Sequence, residues 1–444
     1  MSVAINHEGR SAFVQQFLDA LDAGQAGGPA WLTAYRKQCA QRLEALDVPT
    51  TRHEEWRFTK LRPLTDQRFG AAPVRLPDAT ELAEYRLPES AGSTLLFVNG
   101  HHVPELSSVL DLPAGVVVST WKELGASDKL DSVREHVGQN RWFADDYFYG
   151  LNSAAFDDGV VILVPKNVVV EHPVHILNLS VAGEAAFATH PRNLIVAGES
   201  SELTVVEDYV SLDGQGVYFT NVVNEIAVGK NAHVEHVKVQ RESTAAFHIA
   251  RNLINLSSDS RYHSTAIALG AKLSRNDSYA LFEGTNIDCT LDGLAYVDGD
   301  QVADTHSAID HARPNSRSFQ LHKCIADGKS QTVFNGKIFV RLDAQQTRSE
   351  QLNQNLLLSR RATVDTKPQL EILADDVVCS HGATVGQLED EQLFYLESRG
   401  LDPLSAKNLL TYAFAAEVVE KIKVDSLKER LEQTIMERTS GNAH

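Results

Sequence analysis

The chain has 444 residues, and its 41 Lys or Arg against 59 Asp or Glu give a formal net charge of −18. Because the acidic residues are scattered, this charge argues against nucleic acid or an anionic membrane as a partner, since both are bound through basic patches. The first residues contain no apolar run that would suit a signal peptide or a membrane anchor. The four cysteines are dispersed without a CxxC pair, so we expect a cytoplasmic protein without a disulfide framework.

Apolar spacing predicts two helices between residues 9 and 46. Phe13, Phe17 and Leu21 recur every fourth residue in the first, which is the spacing of one helix face. The Gly-rich stretch 23–29 predicts a loop between the two helices. The predicted apolar stripe of the second helix consists of Trp31, Tyr35, Leu43 and Leu46. Residues 1–93 are therefore predicted to form an N-terminal helical region.

From Thr94 onward, short β-branched runs bounded by Gly, Asn, Asp or Ser predict many short strands. Small or polar turn elements, beginning near Gly198, Gly229, Ser257, Gly284 and Pro314, recur at offsets of roughly 27–31 residues, which is the range of stacked repeats. The repeat favours a β-solenoid over a β-sandwich array. Because it is degenerate, the residues alone leave both architectures open for residues 94–388.

The last part of the chain returns to helical spacing. One helix is predicted from Glu389 to Arg399 with Gly400 at its C-terminal cap, and Asp402 is the predicted N-cap of the next helix. Residues 389–444 thus form a predicted C-terminal helical domain. Its apolar positions include Leu410, Phe414, Val418 and Ile422, and later Leu427, Leu431 and Ile435. These side chains need a surface to pack on, which is either the chain's own β domain or a partner subunit.

Cys379 and His381 form the sharpest local motif. If residues 379–381 are extended, the two-residue spacing places thiol and imidazole on one face of a strand. Both groups are ligands for iron and other soft metals. The alternative is a buried cysteine beside a hydrogen-bonded histidine. Because a stable cluster takes about four protein ligands, two residues predict at most a transient site shared with another subunit.

The sequence also lacks several catalytic signatures. It contains no GxxxxGK[ST] phosphate loop, no GxSxG elbow and no GxGxxG after a strand. The acidic pairs Asp145-Asp146 and Asp157-Asp158 put neighbouring carboxylates on opposite faces if extended, which makes poor acid–base dyads. A β-helix enzyme that acts on carbohydrates is therefore the less favoured alternative to a non-catalytic protein.

Three stretches together resemble the SufB/SufD family of iron–sulfur cluster assembly proteins. The first is residues 49–61, with Pro49-Thr50 followed by Glu54-x-Trp56-x-x-Thr59-x-Leu61. The second is residues 379–386 with 391–400, and the third is the helical tail 406–422. The chain is more similar to the SufD branch, because Gly382 stands where SufB-type chains usually have glutamate and because those chains are typically longer.

The resemblance implies a mainly β fold, with a right-handed parallel β-helix between helical domains at both ends. It also implies a scaffold subunit that pairs with a SufB-type subunit and shares transient iron or cluster with it at His381 and Cys379, without a tightly bound cofactor. A SufC-type ATPase would dock on the C-terminal helices, at Leu401, Leu404, Leu410, Phe414, Val418 and Ile422. A purely structural adaptor is the alternative, and an unpaired β-helix flank would allow a homodimer of the isolated chain.

Overall fold

Strands dominate the computed structural model, which describes residues 13, 15–17, 29–73, 75–110, 112–125, 133–140, 142–183, 185–212 and 214–440. The strands are β1 Ser93–Val98, β2 His101–His102, β3 Ser108–Val109, β4 Val117–Thr120, β5 Val160–Val164, β6 Val174–Ser180, β7 Phe187–Thr189, β8 Arg192–Ala197, β9 Glu202–Ser211, β10 Tyr218–Val228, β11 His233–Arg241, β12 Phe247–Leu256, β13 Arg261–Ala268, β14 Leu273–Phe282, β15 Asp288–Val297, β16 Val302–His311, β17 Arg317–Ala326, β18 Gln331–Val340, β19 Thr347–Leu357, β20 Thr363–Ile372 and β21 Val377–Gly386. The α-helices are α1 Ala30–Leu43, α2 Arg62–Thr65, α3 Ala79–Ala83, α4 Trp121–Leu124, α5 Tyr147–Ala155, α6 Asp390–Ser398, α7 Pro403–Val419 and α8 Asp425–Thr439. Short 3₁₀ turns lie at Glu54–Trp56, Pro88–Ser90 and Pro104–Leu106.

The chain alternates between two sheets that stack strand upon strand. One sheet runs in the order β2-β1-β6-β9-β11-β13-β15-β17-β19-β21, and the other in the order β20-β18-β16-β14-β12-β10-β8-β5-β4. Apart from the antiparallel pairs β1–β2 and β4–β5, neighbouring strands in these two orders are parallel. Partners one turn apart are separated by 27 residues at Arg261 and Asp288 and by 31 at Arg317 and Arg348. This arrangement confirms a mainly β fold built on a parallel β-helix.

One corner of the solenoid consists of stacked left-handed turns. Asn231, Asp259, Asn286 and Asn315 have φ values of 54°, 63°, 57° and 62°. Asn and Asp accept this conformation more readily than other non-glycine residues. The backbone N–H of Asp259 donates to Thr285 O at 2.9 Å, which joins one turn to the next. The polar turns predicted from the repeat are therefore the corners that set its period.

The N-terminal helical elements cover the outer face of one sheet. Helix α1 buries Leu32, Arg36, Cys39 and Leu43, so the predicted stripe is shifted by one residue at its start. Helix α5 lies within the range for which only strands were predicted, and its residues are almost all buried. Residues 18–28, which include most of the predicted loop, and Leu21 of the predicted first helix lie outside the described residues.

The C-terminal helices cover the outer face of the other sheet. Val418, Ile422 and Leu431 belong to one core cluster with Val237 and Ile267 of that sheet. At the start of α7, the Asp402 carboxylate accepts hydrogen bonds from the N–H groups of Leu404 and Ser405 at 3.0 and 3.1 Å, as the predicted N-cap requires. The C-terminal helices therefore pack on the chain's own β-helix, which is the first of the two predicted alternatives.

Candidate functional site

The last turn of the solenoid is open. Strands β20 and β21 are the terminal strands of their sheets, and among the described residues each pairs with a neighbour on one side only. Most residues of β21 are exposed. The outer edges of both strands thus present unpaired backbone donors and acceptors, which can bind another strand.

Cys379 and His381 both face the interior of the solenoid at this open end. Cys379 is paired with Ser349, and His381 with Gln351, one turn further in. Ser349 and Gln351 are each 1% exposed inside the β-helix. The predicted shared face of Cys379 and His381 is therefore present. Gly382 has the opposite parity and is on the outer face, so a glutamate at this position would not be on the face of His381.

The environments of the two side chains differ. His381 is exposed, whereas Cys379 is half-buried. Cys379 packs in a small apolar cluster with Leu370. Burial raises the pKa of the Cys379 thiol, although a backbone hydrogen bond from Ser349 opposes this effect. Within the described residues, no group of three or more His, Cys, Asp or Glu side chains is placed to hold a metal ion. Any iron bound here would need further ligands from another molecule.

Apolar side chains surround the open end. Leu373, Val378 and Val385 are 67%, 70% and 51% exposed, and Phe394 on helix α6 is 71% exposed. Larger exposed apolar patches mark protein contact surfaces, and these side chains give the open end apolar area for such a contact.

The predicted docking residues of the C-terminal helices divide into two groups. Leu404 is 58% exposed, and Leu401 and Leu410 are partly exposed. Phe414 is partly buried, with its ring 4.4 Å from Lys323 Nζ. Val418 and Ile422, however, are 0% and 2% exposed. The apolar residues at four-residue spacing face the solenoid at the C-terminal end of α7, so these two side chains pack on the chain's own sheet. The prediction that they belong to a docking surface is therefore wrong.

The motif at residues 54–61 anchors the N-terminal segment to the β-helix. The indole of Trp56 stacks on the Arg275 guanidinium, with 3.8 Å from Cζ to the ring centroid. Thr59 Oγ1 donates to Asp304 Oδ2 at 2.6 Å, and Glu54 pairs with Lys367 on β20. This segment therefore has a structural role, and it is tied to the strand that forms the open end.

Sequence reasoning missed a buried ionic cluster in the lumen. Glu207 is paired with His236 at 2.7 Å, and Glu242 with His248 at 2.7 Å. Lys238 Nζ lies 2.8 Å from His248 Nε2. The sequence does contain a signal for this cluster, namely charged residues at alternate positions of otherwise apolar strands. Without the register between turns, however, it does not show whether those residues face the lumen or the outside.

In the described part of the chain, no helix has the length and apolar content that crossing a bilayer requires.

Comparison with known proteins agrees with this geometry. The family profile "SUF system FeS cluster assembly, SufBD core domain" matches residues 179–414, and the profile "SufBD protein N-terminal region" matches residues 8–176. The chain belongs to the SufBD family.

Curated members of the family align with this SufBD chain over most of its length. A SufBD family protein of iron–sulfur cluster assembly from Synechocystis sp. is 39% identical over 91% of this chain and 90% of its own length. The iron–sulfur cluster assembly protein SufD of Escherichia coli is 33% identical over 92% and 93%. The SufD protein of Bacillus subtilis is 28% identical over 92% and 94%. The resemblance to the SufD branch is thereby confirmed.

Proposed function

We propose that the chain is a non-catalytic scaffold subunit of iron–sulfur cluster assembly, which offers His381 and Cys379 to iron or a nascent cluster at an interface with a second subunit. The observation that carries this proposal is the location of both side chains on the inward face of an uncapped strand. A metal bound there lies between this chain and the second subunit that covers the open end. With only two ligands from this chain, the remaining ligands come from the covering subunit.

The covering subunit is proposed to be a SufB-type chain. Strands β20 and β21 both end in free edges, so a second parallel β-helix can pair with them and extend both sheets. The exposed side chains of Leu373, Val378 and Val385 supply apolar area for the same contact. In the isolated chain, the same edge would allow a homodimer, which a SufB-type chain would replace.

An ATPase of the SufC type is proposed to dock on the outer side of the C-terminal helices. The corrected surface contains Leu401, Leu404 and Leu410, together with the exposed Leu409 and the edge of Phe414. Since α7 packs on the same sheet that ends in β21, a rotation of α7 driven by ATP hydrolysis would reach the open end through packed contacts.

The test uses the complex of this chain with its SufB-type subunit and ATPase. In the His381→Ala complex, we expect assembly to be retained and bound iron and acid-labile sulfide to fall by about tenfold, as on the loss of a metal ligand. His101→Ala is the matched control, because His101 is also exposed but lies on β2 at the other end of its sheet.

The alternative role, a purely structural adaptor, is favoured by the small number of metal ligands in this chain. It predicts that His381→Ala and Cys379→Ser complexes contain as much iron and sulfide as the parent complex. That result, with assembly intact in size-exclusion chromatography, would refute the ligand role.

A further inference from the structure

A cleft of about 540 Å³ lies on the outer face of the sheet that contains β14, β16 and β18. Its lining comes from the segment 45–56, from the segment 142–147 and from these three strands. The volume is within the range of sites that bind small molecules, roughly 300–1,000 Å³. The cleft is separate from Cys379 and His381, which face the interior of the solenoid on β21 of the other sheet.

The lysine and the arginine that line the cleft are already paired. The Arg275 guanidinium, 2% exposed, donates from Nε and Nη2 to the two carboxylate oxygens of Asp277 at 2.7 and 2.8 Å. Lys337 pairs with Glu55, whose other oxygen lies 3.3 Å from His306 Nδ1. Because a buried charge that loses its partner is costly, neither Arg275 nor Lys337 is available to an anionic ligand.

Carboxylates outnumber the lysine and arginine side chains in the lining. They belong to Asp47, Glu55, Asp145, Asp146 and Asp277, against Arg275 and Lys337. Asp146 pairs with Arg251 at 2.9 Å, whereas Asp145 is exposed and forms no ion pair with any described residue. The cleft therefore offers a carboxylate to a cation.

An exposed indole lines the cleft beside this carboxylate. Trp142 and Asp145 lie in the same turn before α5. One face of the Trp142 ring stacks on Tyr279, with the ring centroids 4.2 Å apart and the planes at 5°. The side chain is nevertheless 42% exposed, so the opposite face of the ring is open. Tryptophan is the aromatic residue that attracts cations most strongly.

The same cleft already contains one guanidinium that is bound in this way. Arg275 Cζ lies 3.8 Å from the centroid of the Trp56 ring, while Asp277 accepts both hydrogen bonds of its guanidinium edge. Trp142 and Asp145 supply the same two kinds of group without a guanidinium. A planar guanidinium stacks on an indole and binds a carboxylate in bidentate fashion, whereas a lysine ammonium is a compact, strongly hydrated charge. These groups therefore favour a guanidinium ligand.

We infer that the cleft binds a guanidinium group, which stacks on the open face of Trp142 and donates hydrogen bonds to the Asp145 carboxylate. The ligand is an arginine side chain of another protein or a free guanidino compound, since both present the same chemistry. This site goes beyond the scaffold role, because it lies outside the open end and needs neither His381 nor Cys379. Its test uses the isolated chain and does not depend on metal binding.

The test is a titration of the folded full-length protein, followed by the indole N–H resonance of Trp142 in ¹⁵N NMR spectra. The chain has four tryptophans, and the Trp142 resonance is the one that is absent in Trp142→Phe. The guanidino probes are N-acetyl-L-arginine amide and agmatine. N-acetyl-L-citrulline amide has nearly the same shape as the arginine probe but no charge.

We expect a saturable shift with a guanidino probe, and binding of the citrulline probe that is weaker by at least about tenfold. Tighter binding of agmatine assigns the site to a free guanidino compound. Equal or tighter binding of the arginine probe assigns it to a protein side chain. No saturable shift with either guanidino probe, or equal binding of the citrulline probe, would overturn the inference.

Three variants at exposed positions test the carboxylate. Asp145→Asn should weaken binding of the better guanidino probe by about tenfold, and Asp145→Glu, which keeps the charge, should stay within about threefold of the parent. Asp343→Asn is the matched control, because Asp343 is an exposed aspartate on the turn after β18 and does not line the cleft. Thermal unfolding establishes that the variants are folded. Unchanged binding in a folded Asp145→Asn protein would contradict the site, and the comparison of probes in the parent protein decides it if this variant does not fold.

Discussion

The ion pairs around His263 connect the C-terminal helices to the solenoid. His263 Nδ1 lies 3.0 Å from Glu235 Oε2, and Nε2 lies 3.2 Å from Asp292 Oδ2. Lys421 Nζ reaches Asp292 Oδ2 at 3.0 Å, and Lys423 pairs with Glu235. Replacing His263 with Gln removes one cation from this group but keeps an amide that can donate to one carboxylate.

The pKa of His263 sets the expected magnitude. Burial alone would lower this pKa, but hydrogen bonds to Asp292 and Glu235 and their charges outweigh burial and raise it to about 9. Against about 6.5 in the unfolded chain, this pKa is equivalent to about 3 kcal/mol of stability. Because Lys421 and Lys423 share the two carboxylates, we expect the substitution to cost about 1–2 kcal/mol.

The sign of the pH dependence follows from the raised pKa. The stabilisation by protonated His263 is complete below about pH 6.5, and it is lost as the pH rises through about 9. In the parent, hydrogen exchange of residues 403–439 should therefore become less protected between about pH 6 and pH 10, after correction for the intrinsic exchange rate. In His263→Gln, the protection should be lower at about pH 6 and should change less with pH.

His172→Gln is the control for this experiment, because His172 is exposed. Other buried groups titrate in the same range in all three proteins, so only the difference between parent and variant reports on His263. Parallel pH profiles for parent and His263→Gln would refute the assignment of this stabilisation to the ion pairs.

Two substitutions test packing, each measured by the urea midpoint of unfolding. A Cβ on Gly336 would overlap Gln351 Nε2 across the lumen, so Gly336→Ala should destabilise by about 1–3 kcal/mol. Gly386→Ala should be near neutral, because no described atom lies within 4 Å of a Cβ at that position. Equal midpoints for these two variants would contradict the close approach. Leu431 is 0% exposed on the inner face of α8, so Leu431→Ala should destabilise the protein by about 2–5 kcal/mol. Leu409→Ala is the control, because that side chain is 45% exposed. An equal or smaller cost for Leu431→Ala would show that α8 is not packed on the sheet.

The local features of the fold were predictable because they depend on neighbours in sequence. Asparagine accepts the left-handed conformation through its own side chain, as at Asn231, Asn286 and Asn315. Gly400, with φ of +100°, ends helix α6 as predicted. The common face of Cys379 and His381 needed only the two-residue period of a strand. The repeat could not decide between a sandwich and a solenoid, because both use short strands with the same turns.

Apart from helix α5, local sequence was enough to locate most strands, corners and helix caps, and to show which two soft ligands share a face. The folded arrangement of the turns was needed to show that this face is the inside of an uncapped solenoid, that Val418 and Ile422 pack on the chain's own sheet, and that Glu207 and Lys238 meet in the lumen. The physical reason is that strand alternation assigns residues to two faces but does not say which face is inside. That choice depends on the parallel register between turns about 30 residues apart, and local preferences contain no information about it.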